Sequence, residues 1–192
     1  MPPQAQDVLD FWFGPADAPG YGAPRAEWFR KDPRFDAAIR ERFADLHAAA
    51  HAGALAGWDA APESTVAAII VWDQFSRNLH RGDARAFACD ALALATARDM
   101  IARGWDAVVM PAMRLFVYLP FEHSEDPADQ ERAVALMRAL AADARFADLP
   151  EWAVRHQVVI QRFGRFPHRN AALGRVSTPE EEAYLREPGS GF

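Results

Sequence analysis

The feature of this sequence that most limits its fold is the spacing of its apolar residues, which is helical along nearly the whole chain. One clear row of apolar residues has intervals of four, four and three: Phe35, Ile39, Phe43 and Leu46. Such intervals place the side chains on one face of a helix. No segment alternates apolar and polar residues over the length of a strand. The sequence therefore predicts an all-α protein without a sheet.

Capping residues, prolines and glycines indicate where the helices begin and end. Asp32 and Asp126 each precede a proline, the usual order of an N-cap and a first helical residue. Asp83 is a further N-cap candidate, Gly104 is a C-terminal capping glycine, and Pro120 is predicted to end a helix. The predicted helices span residues 4–13, 33–53, 64–79, 84–103, 108–119, 127–145, 150–163 and 179–186. Their short connections favour antiparallel hairpins stacked side by side.

Composition excludes several classes of protein. The chain has 192 residues, 51% of them apolar, which suits a single globular domain over residues 1–192. Its longest apolar run, 66–72, is far shorter than the roughly 20 residues of a membrane-spanning helix. The net charge of -6 argues against nucleic acid as a partner. The N-terminus does not resemble a signal peptide and Cys89 is the only cysteine, so we expect a cytoplasmic protein.

Two segments of seven residues, 75–81 and 163–169, share the pattern Phe, small, Arg, any, any, His, Arg. Each follows an apolar helix, so each places an Arg at the end of a helix and a His-Arg pair in the next loop. Side chains in such loops can reach a shared cleft. Four matched positions can also arise by chance in an Arg-rich chain, so an internal duplication remains one of two interpretations.

Four blocks of this sequence resemble the signature blocks of the DUF924 family of bacterial proteins. They are VLDFWFG at 8–14, DQFSRN at 73–78, PFEHSED at 120–126 and RFGRFPHRN at 162–170. They stand in the family's order and cover essentially the whole chain. The resemblance implies an all-α fold of seven to nine helices, similar to tetratricopeptide (TPR) repeats stacked in a right-handed array. It implies no activity.

The polar residues of these blocks are the candidates for ligand binding. Residues 152–179 include five Arg and no Asp or Glu, so the Arg, His and Asn side chains of the last block can clamp a carboxylate or phosphate. They can instead neutralise the carboxylates of 122–126 in a structural network. Asp73, Arg77 and Arg81, spaced by four, can likewise be a simple row of ion pairs. The candidate ligand-binding residues are Asp73, Arg77, Asn78, His80, Arg165, His168, Arg169 and Asn170.

His123 and Glu125 are the candidate catalytic residues. An imidazole beside a carboxylate can act as a general acid or base near neutral pH. In the competing interpretation, Ser124 or Asp126 caps the next helix and Glu125 pairs with an Arg from the region of 77 or 165.

No metal site is predicted, because the spacing of a strong metal motif is absent, and no cofactor is identified. His47 and His51 lie one helical turn apart and can bind a metal, although a position facing solvent is the simpler prediction. His156, on an apolar helix, is predicted to be an interior histidine.

Three functions remain open, and so does the question of whether the protein is an enzyme. The first is binding, with or without turnover, of a small anionic molecule in an Arg, His and Glu cleft. The second is a TPR-like module whose groove binds a peptide. The third is a metal-assisted hydrolase or oxidase centred on His123. Convergence of the blocks in space would favour the first function.

Overall fold

Residues 1–191 are described by the computed structural model, and within them the chain forms eight α-helices and no strand. The all-α prediction with seven to nine helices is confirmed, whereas the right-handed TPR-like stacking stays a prediction. None of the helices in this range is long and apolar enough to cross a bilayer. The helices are α1 (Pro3–Phe13), α2 (Pro33–His51), α3 (62–79), α4 (Asp90–Ala102), α5 (Pro111–Glu122), α6 (Pro127–Leu140), α7 (Leu149–Phe163) and α8 (Pro179–Leu185).

Proline begins most of these helices. Seven of the eight carry proline at the first or second helical position, where the missing N–H would have no helical partner. The carboxylates of Asp32 and Asp126 accept hydrogen bonds from backbone N–H groups of the first turns of α2 and α6. Thr178 and Glu181 form a capping box at the start of α8. The predicted caps therefore set the observed helix starts.

One predicted helix is too long, since α6 ends at Leu140 rather than near residue 145, and two other predicted helix boundaries are wrong. Pro120 does not end its helix: although a proline lacks the N–H donor and its ring crowds the carbonyl four residues earlier, α5 continues through it to Glu122. Asp83 caps a short 3₁₀ turn, Ala84–Phe87, rather than one long helix, and α4 begins only at Asp90. Tertiary contacts of Glu122 and Asp90, described below, override the local signals at both places.

Helix α3 lies at the centre of the protein. It contacts α1, α2, α4 and α5, so nearly all of its side chains are enclosed. Aromatic rings fill the space around it: the fully buried Trp12 of α1 lies with its ring centroid 5.8 Å from that of Phe75 and 5.3 Å from that of Phe116. Any polar side chain on α3 must therefore find a partner on a neighbouring element.

A π-helical segment interrupts α3. The helix is α-helical over Pro62–Ile70, π-helical over Val71–Phe75 and α-helical again over Ser76–Leu79. Such single-turn insertions occur frequently at functional sites. Here the widened turn carries Asp73, and the Asp73 carbonyl accepts a hydrogen bond from the Arg77 guanidinium.

The loop between α5 and α6 is fixed by one buried amide. Gln130, fully buried on α6, donates from Nε2 to the carbonyl oxygens of Glu122 and Ser124, both at 2.7 Å. These two carbonyls flank His123. The amide therefore determines how the loop presents the His123 side chain.

Replacing Gln130 by the similarly shaped Leu tests this role. We expect Gln130→Leu to lower the free energy of unfolding by roughly 2–4 kcal/mol, because a buried carbonyl left without a donor costs about 1–3 kcal/mol and the Ser124 carbonyl, which is only partly buried, costs less. Urea denaturation measures the change. The control, Gln161→Leu on the exposed face of α7, should change stability by no more than about 0.5 kcal/mol. Equal effects of the two substitutions would contradict this role.

Candidate functional site

A buried carboxylate, Asp73, organises the polar groups at the centre of the protein. It is only 1% exposed. His123 Nδ1 donates to Asp73 Oδ1 at 2.7 Å, Arg77 Nη1 lies 3.0 Å from the same oxygen, and the Gln74 amide donates to Oδ2. Burial alone would raise the pKa of Asp73, but Arg77 and His123 hold it well below the usual range. Asp73 is therefore ionised at neutral pH.

Arg77 connects Asp73 to a second carboxylate, Asp90, at the start of α4. The Arg77 guanidinium binds Asp90 with both terminal nitrogens, at 2.8 and 3.0 Å. Burial opposes the charge of Arg77, but Asp73 and Asp90 raise its pKa above the ordinary value. The break between the 3₁₀ turn and α4 places Asp90 where it makes this bidentate contact.

A second guanidinium, Arg169, shares Asp90. Its Nη1 lies 3.4 Å from Asp90 Oδ2, and its Cζ lies 4.4 Å from the ring centroid of Phe166 and 4.8 Å from that of Phe87. Arg169 is 6% exposed, and its Nε has no hydrogen-bond partner among residues 1–191. Burial and the nearby Arg77 lower the pKa of Arg169 to about 10. Its charge is thus weakly compensated.

Glu122 and His156 form a second buried pair beside Asp73. His156 Nδ1 lies 3.1 Å from Glu122 Oε1 and 2.9 Å from the carbonyl oxygen of Trp152. Burial and the negative charge of Asp73 raise the pKa of Glu122 to about 8. Burial lowers the pKa of His156 to about 3. Both members are therefore predominantly neutral at pH 7, and the prediction of His156 as an interior histidine is confirmed.

His123 and His168 bring two further neutral imidazoles to this region. Burial and the charge of Arg77 lower the pKa of His123, against the opposing effect of Asp73. Burial, Arg169 and Arg77 lower the pKa of His168 to about 4. Because Asp73 accepts from Nδ1 of His123, that nitrogen carries the proton and Nε2 keeps its lone pair.

The structure therefore joins residues from three of the sequence blocks. Asp73 and Arg77 come from the second block, His123 from the third and Arg169 from the fourth; we call these four residues with Asp90 the Asp73–Arg169 cluster. The cluster is partly open to solvent, with 19% of the Arg77 side chain and 23% of the Asp90 side chain exposed.

Asn78 and His80 lie apart from this cluster. Asn78 donates to Asp36 on α2 at 2.7 Å, and Arg81 binds the same carboxylate at 2.6 and 2.8 Å. His80 lies beside His47 of α2, with ring centroids 5.4 Å apart. His47 is itself buried, so the expectation that both His47 and His51 face solvent holds for His51 alone.

Arg165 and Asn170 belong to a third group at the C-terminal end. Arg165 binds the Glu181 carboxylate of α8 at 2.6 and 2.8 Å and the carbonyl of Val176, and the Asn170 amide donates to Ser177 and Glu181. The Arg165 side chain lowers the pKa of Glu181 to about 2. The two related seven-residue segments therefore contribute different members to the central cluster, Arg77 from one and Arg169 from the other.

Glu125 is held away from His123 by a different arginine. Arg175 binds both carboxylate oxygens of Glu125, at 2.7 and 2.9 Å, and the backbone N–H of Phe166 donates to it. The carboxylate beside His123 is Asp73 instead. Pairing of Glu125 with an arginine was the correct interpretation, but the partner lies at 175 and not in the region of 77 or 165.

Sequence reasoning missed Asp90 and Phe87 as members of this region, and it counted Glu122 among the carboxylates of 122–126 without naming it as a site residue. Asp90 stands inside an apparently continuous Ala-rich helix, so no local signal distinguishes it. Glu122 was visible as the polar residue directly after the buried run 115–121, a pattern that places a carboxyl at the end of a buried helix.

The raised pKa of Glu122 predicts a specific pH dependence. The folded state holds this proton up to about pH 8, whereas the unfolded chain loses it near 4.5, so the stabilising effect of the proton is lost as pH rises through that window. Glu122→Gln cannot ionise. Relative to wild type, the variant should gain stability by at most about 1.4 kcal/mol per pH unit across the window. Urea denaturation at several pH values measures it, and a difference independent of pH would contradict the assignment.

Comparisons with known proteins agree on the family. None of the curated proteins matches the chain. A solved structure of a protein of unknown function from Agrobacterium tumefaciens is similar, with 41% sequence identity, 95% of this chain and 97% of that chain covered, and a TM-score of 0.83. The family described as "Bacterial protein of unknown function (DUF924)" matches residues 8–189. The chain therefore belongs to the DUF924 family, as its four sequence blocks predicted.

Proposed function

We propose that the Asp73–Arg169 cluster binds a small anionic molecule, a carboxylate or a phosphate, and that His123 acts on it as a general acid or base. The observation that carries this proposal is the state of Arg169. Its guanidinium is buried between two aromatic rings, yet it makes a single long contact with a carboxylate and its Nε donates to no residue in 1–191.

The hydrogen bonds of the cluster, rather than its net charge, support an anion as a further partner, because two carboxylates balance two guanidiniums while Arg169 makes only one long carboxylate contact. Arg77 takes both oxygens of Asp90 and also contacts Asp73, so little of either carboxylate remains for Arg169. A buried cation without full compensation is costly. A carboxylate or phosphate can supply that compensation, and it suits the forked geometry of guanidinium donors.

The Asp73–His123 pair supports a role in proton transfer. A buried carboxylate bonded to Nδ1 fixes the tautomer and the orientation of an imidazole, and it stabilises the imidazolium that forms when Nε2 takes a proton. Asp73 is 1% exposed and ionised, so it is suited to this positioning role. Glu122, largely protonated at pH 7, offers a second proton close by.

Arg169→Met separates a binding site from a structural network. If the role of Arg169 is to bind a ligand, an apolar side chain between Phe87 and Phe166 should not destabilise the protein. We then expect the free energy of unfolding to stay within about 1 kcal/mol of wild type or to increase. Thermal-shift screening against sulfate, phosphate and small mono- and dicarboxylates measures binding, since an anion at 100 times its Kd stabilises by about 2.7 kcal/mol. We expect a shift in wild type that is absent in the variant.

Arg165→Met is the matched control. It breaks the contact with Glu181 in the C-terminal group, so it should lower stability and leave the anion-induced shift in place. The opposite pattern would show that the cluster is a structural ion-pair network. In that case Arg169→Met lowers the free energy of unfolding by about 3–5 kcal/mol, and no anion raises the melting temperature of wild type. A shift produced by peptides and by no small anion would favour the peptide-binding alternative.

Proton uptake on binding provides a second prediction. An anion placed between Arg77 and Arg169 raises the pKa of His123 and His168, both of which lie below the ordinary value in the free protein. Affinity for sulfate, whose own charge is constant in this range, should therefore increase as pH falls from about 8 to about 5. Calorimetry in two buffers of different ionisation enthalpy measures the protons taken up, and zero uptake would exclude these histidines from the site.

A further inference from the structure

Three potential metal ligands meet outside the Asp73–Arg169 cluster, next to Ser76 of α3. His47 and His51 lie one turn apart at the end of α2, and Cys89 lies directly before α4. One ligand atom from each of the three lies within 4.8 Å of the other two. Cys89 Sγ is 3.3 Å from His51 Nε2. Among residues 1–191, this is the group of histidine, cysteine and acidic side chains whose geometry suits a metal ion.

Two of these three residues are more buried than surface histidines would be, and the group lies beside a groove. His47 is 3% exposed and Cys89 is fully buried, whereas His51 is exposed. His47 and His51 line an open groove of about 550 Å³, with His80 beside them. Two of the three ligands are thus held by packing, and the third has the freedom to close on an ion that enters from the groove.

A serine hydroxyl occupies the polar space between the two buried groups. Ser76 Oγ lies 2.8 Å from His47 Nε2, and it also makes a hydrogen bond with the Cys89 thiol. This hydroxyl provides the polar contact that both groups need when no ion is bound. It can remain a hydrogen-bonding neighbour of the ligands when an ion replaces it as their partner, as outer-shell groups do in many metal sites.

We propose that His47, His51 and Cys89 bind a zinc-type divalent cation, with a fourth coordination position open toward the groove. Two imidazoles and one thiolate are a donor set that zinc uses in proteins, at about 2.0–2.1 Å for nitrogen and about 2.3 Å for sulfur. The three ligand atoms already lie within 4.8 Å of one another, so small movements of these side chains are enough to reach those distances. Binding forms two Zn–N bonds and one Zn–S bond and releases the thiol proton to solvent.

The protonation of the ligands is compatible with this site. Burial and the neighbouring His51 and His80 lower the pKa of His47 to about 4, so its imidazole is neutral at pH 7 and no proton has to leave it. Burial raises the pKa of the Cys89 thiol, and a bound cation provides the charge that stabilises its thiolate. Two arginines, Arg40 and Arg85, line the groove, and the pairing of Arg85 with Asp83 offsets part of their repulsion of a cation.

Titration of the full chain tests the proposal. Protein freed of metal by a chelator is titrated with Zn²⁺ in competition with a chromogenic chelator, and with Co²⁺ as a spectroscopic probe. We expect one equivalent of Zn²⁺ and a Co²⁺ complex with a thiolate-to-cobalt charge-transfer band. Cys89→Ser should abolish that band, and both Cys89→Ser and His51→Ala should weaken Zn²⁺ binding by more than about 100-fold, the upper range for loss of even an outer-shell partner.

Two features keep the test decisive. His51 is exposed, so His51→Ala retains the fold even if Cys89→Ser disturbs it, and circular dichroism verifies this. His80→Ala is the matched control, since it removes a groove imidazole that is not a ligand, and it should change neither the stoichiometry nor the band. Zinc binding that survives Cys89→Ser, or a cobalt complex without the band, would reduce the site to an ordinary histidine pair and overturn the proposal. Loss of zinc binding in His80→Ala would mean that His80 is the fourth ligand, and it would contradict the open fourth coordination position.

Discussion

The burial of one ionised carboxylate, Asp73, is the constraint on which the centre of this protein depends. It lies on the most enclosed helix, α3, where an uncompensated charge would be prohibitively costly. Its compensation requires Arg77 one turn further along and His123 from the loop after α5. Those two side chains in turn fix the positions of Asp90 and of that loop. The π-helical turn of α3 and the side-chain amide of Gln130 support this arrangement.

The polar groups around α3 divide into regions of different character. At the Asp73–Arg169 cluster two carboxylates balance two guanidiniums, although Arg169 makes only one long carboxylate contact, and the nearby Glu122 and His156 are predominantly neutral. At the C-terminal end Arg165 and Glu181 form a closed structural pair. Next to Ser76, His47, His51 and Cys89 form a cluster of potential metal ligands beside an open groove. Adjacent residues serve different regions: Ser76 and Cys89 face the histidines, whereas Arg77 and Asp90 face the central cluster.

The sequence predicted the helical class and most helix starts, because apolar spacing, proline at the first position and aspartate caps act within a few residues. It also identified the blocks that carry Asp73, Arg77, His123 and Arg169. It misassigned the partners. Glu125 was placed beside His123 because the two are close in sequence, yet Asp73, 50 residues away, fills that position. The break before Asp90 was missed because an Ala-rich segment favours helix continuation until a long-range ion pair overrides it.

By itself, the sequence determined which residues form helices, which faces are apolar and which segments concentrate Arg, His and carboxylates. These properties follow from local periodicity and from the chemistry of single side chains. Only the tertiary structure decided which charged side chains form ion pairs. It places Arg169, and not Arg165, beside Arg77, and it brings the buried His47 close to Cys89. Those pairings depend on how the helices pack against one another and against α3. Packing brings together residues tens of positions apart, and no local pattern encodes the distances between them.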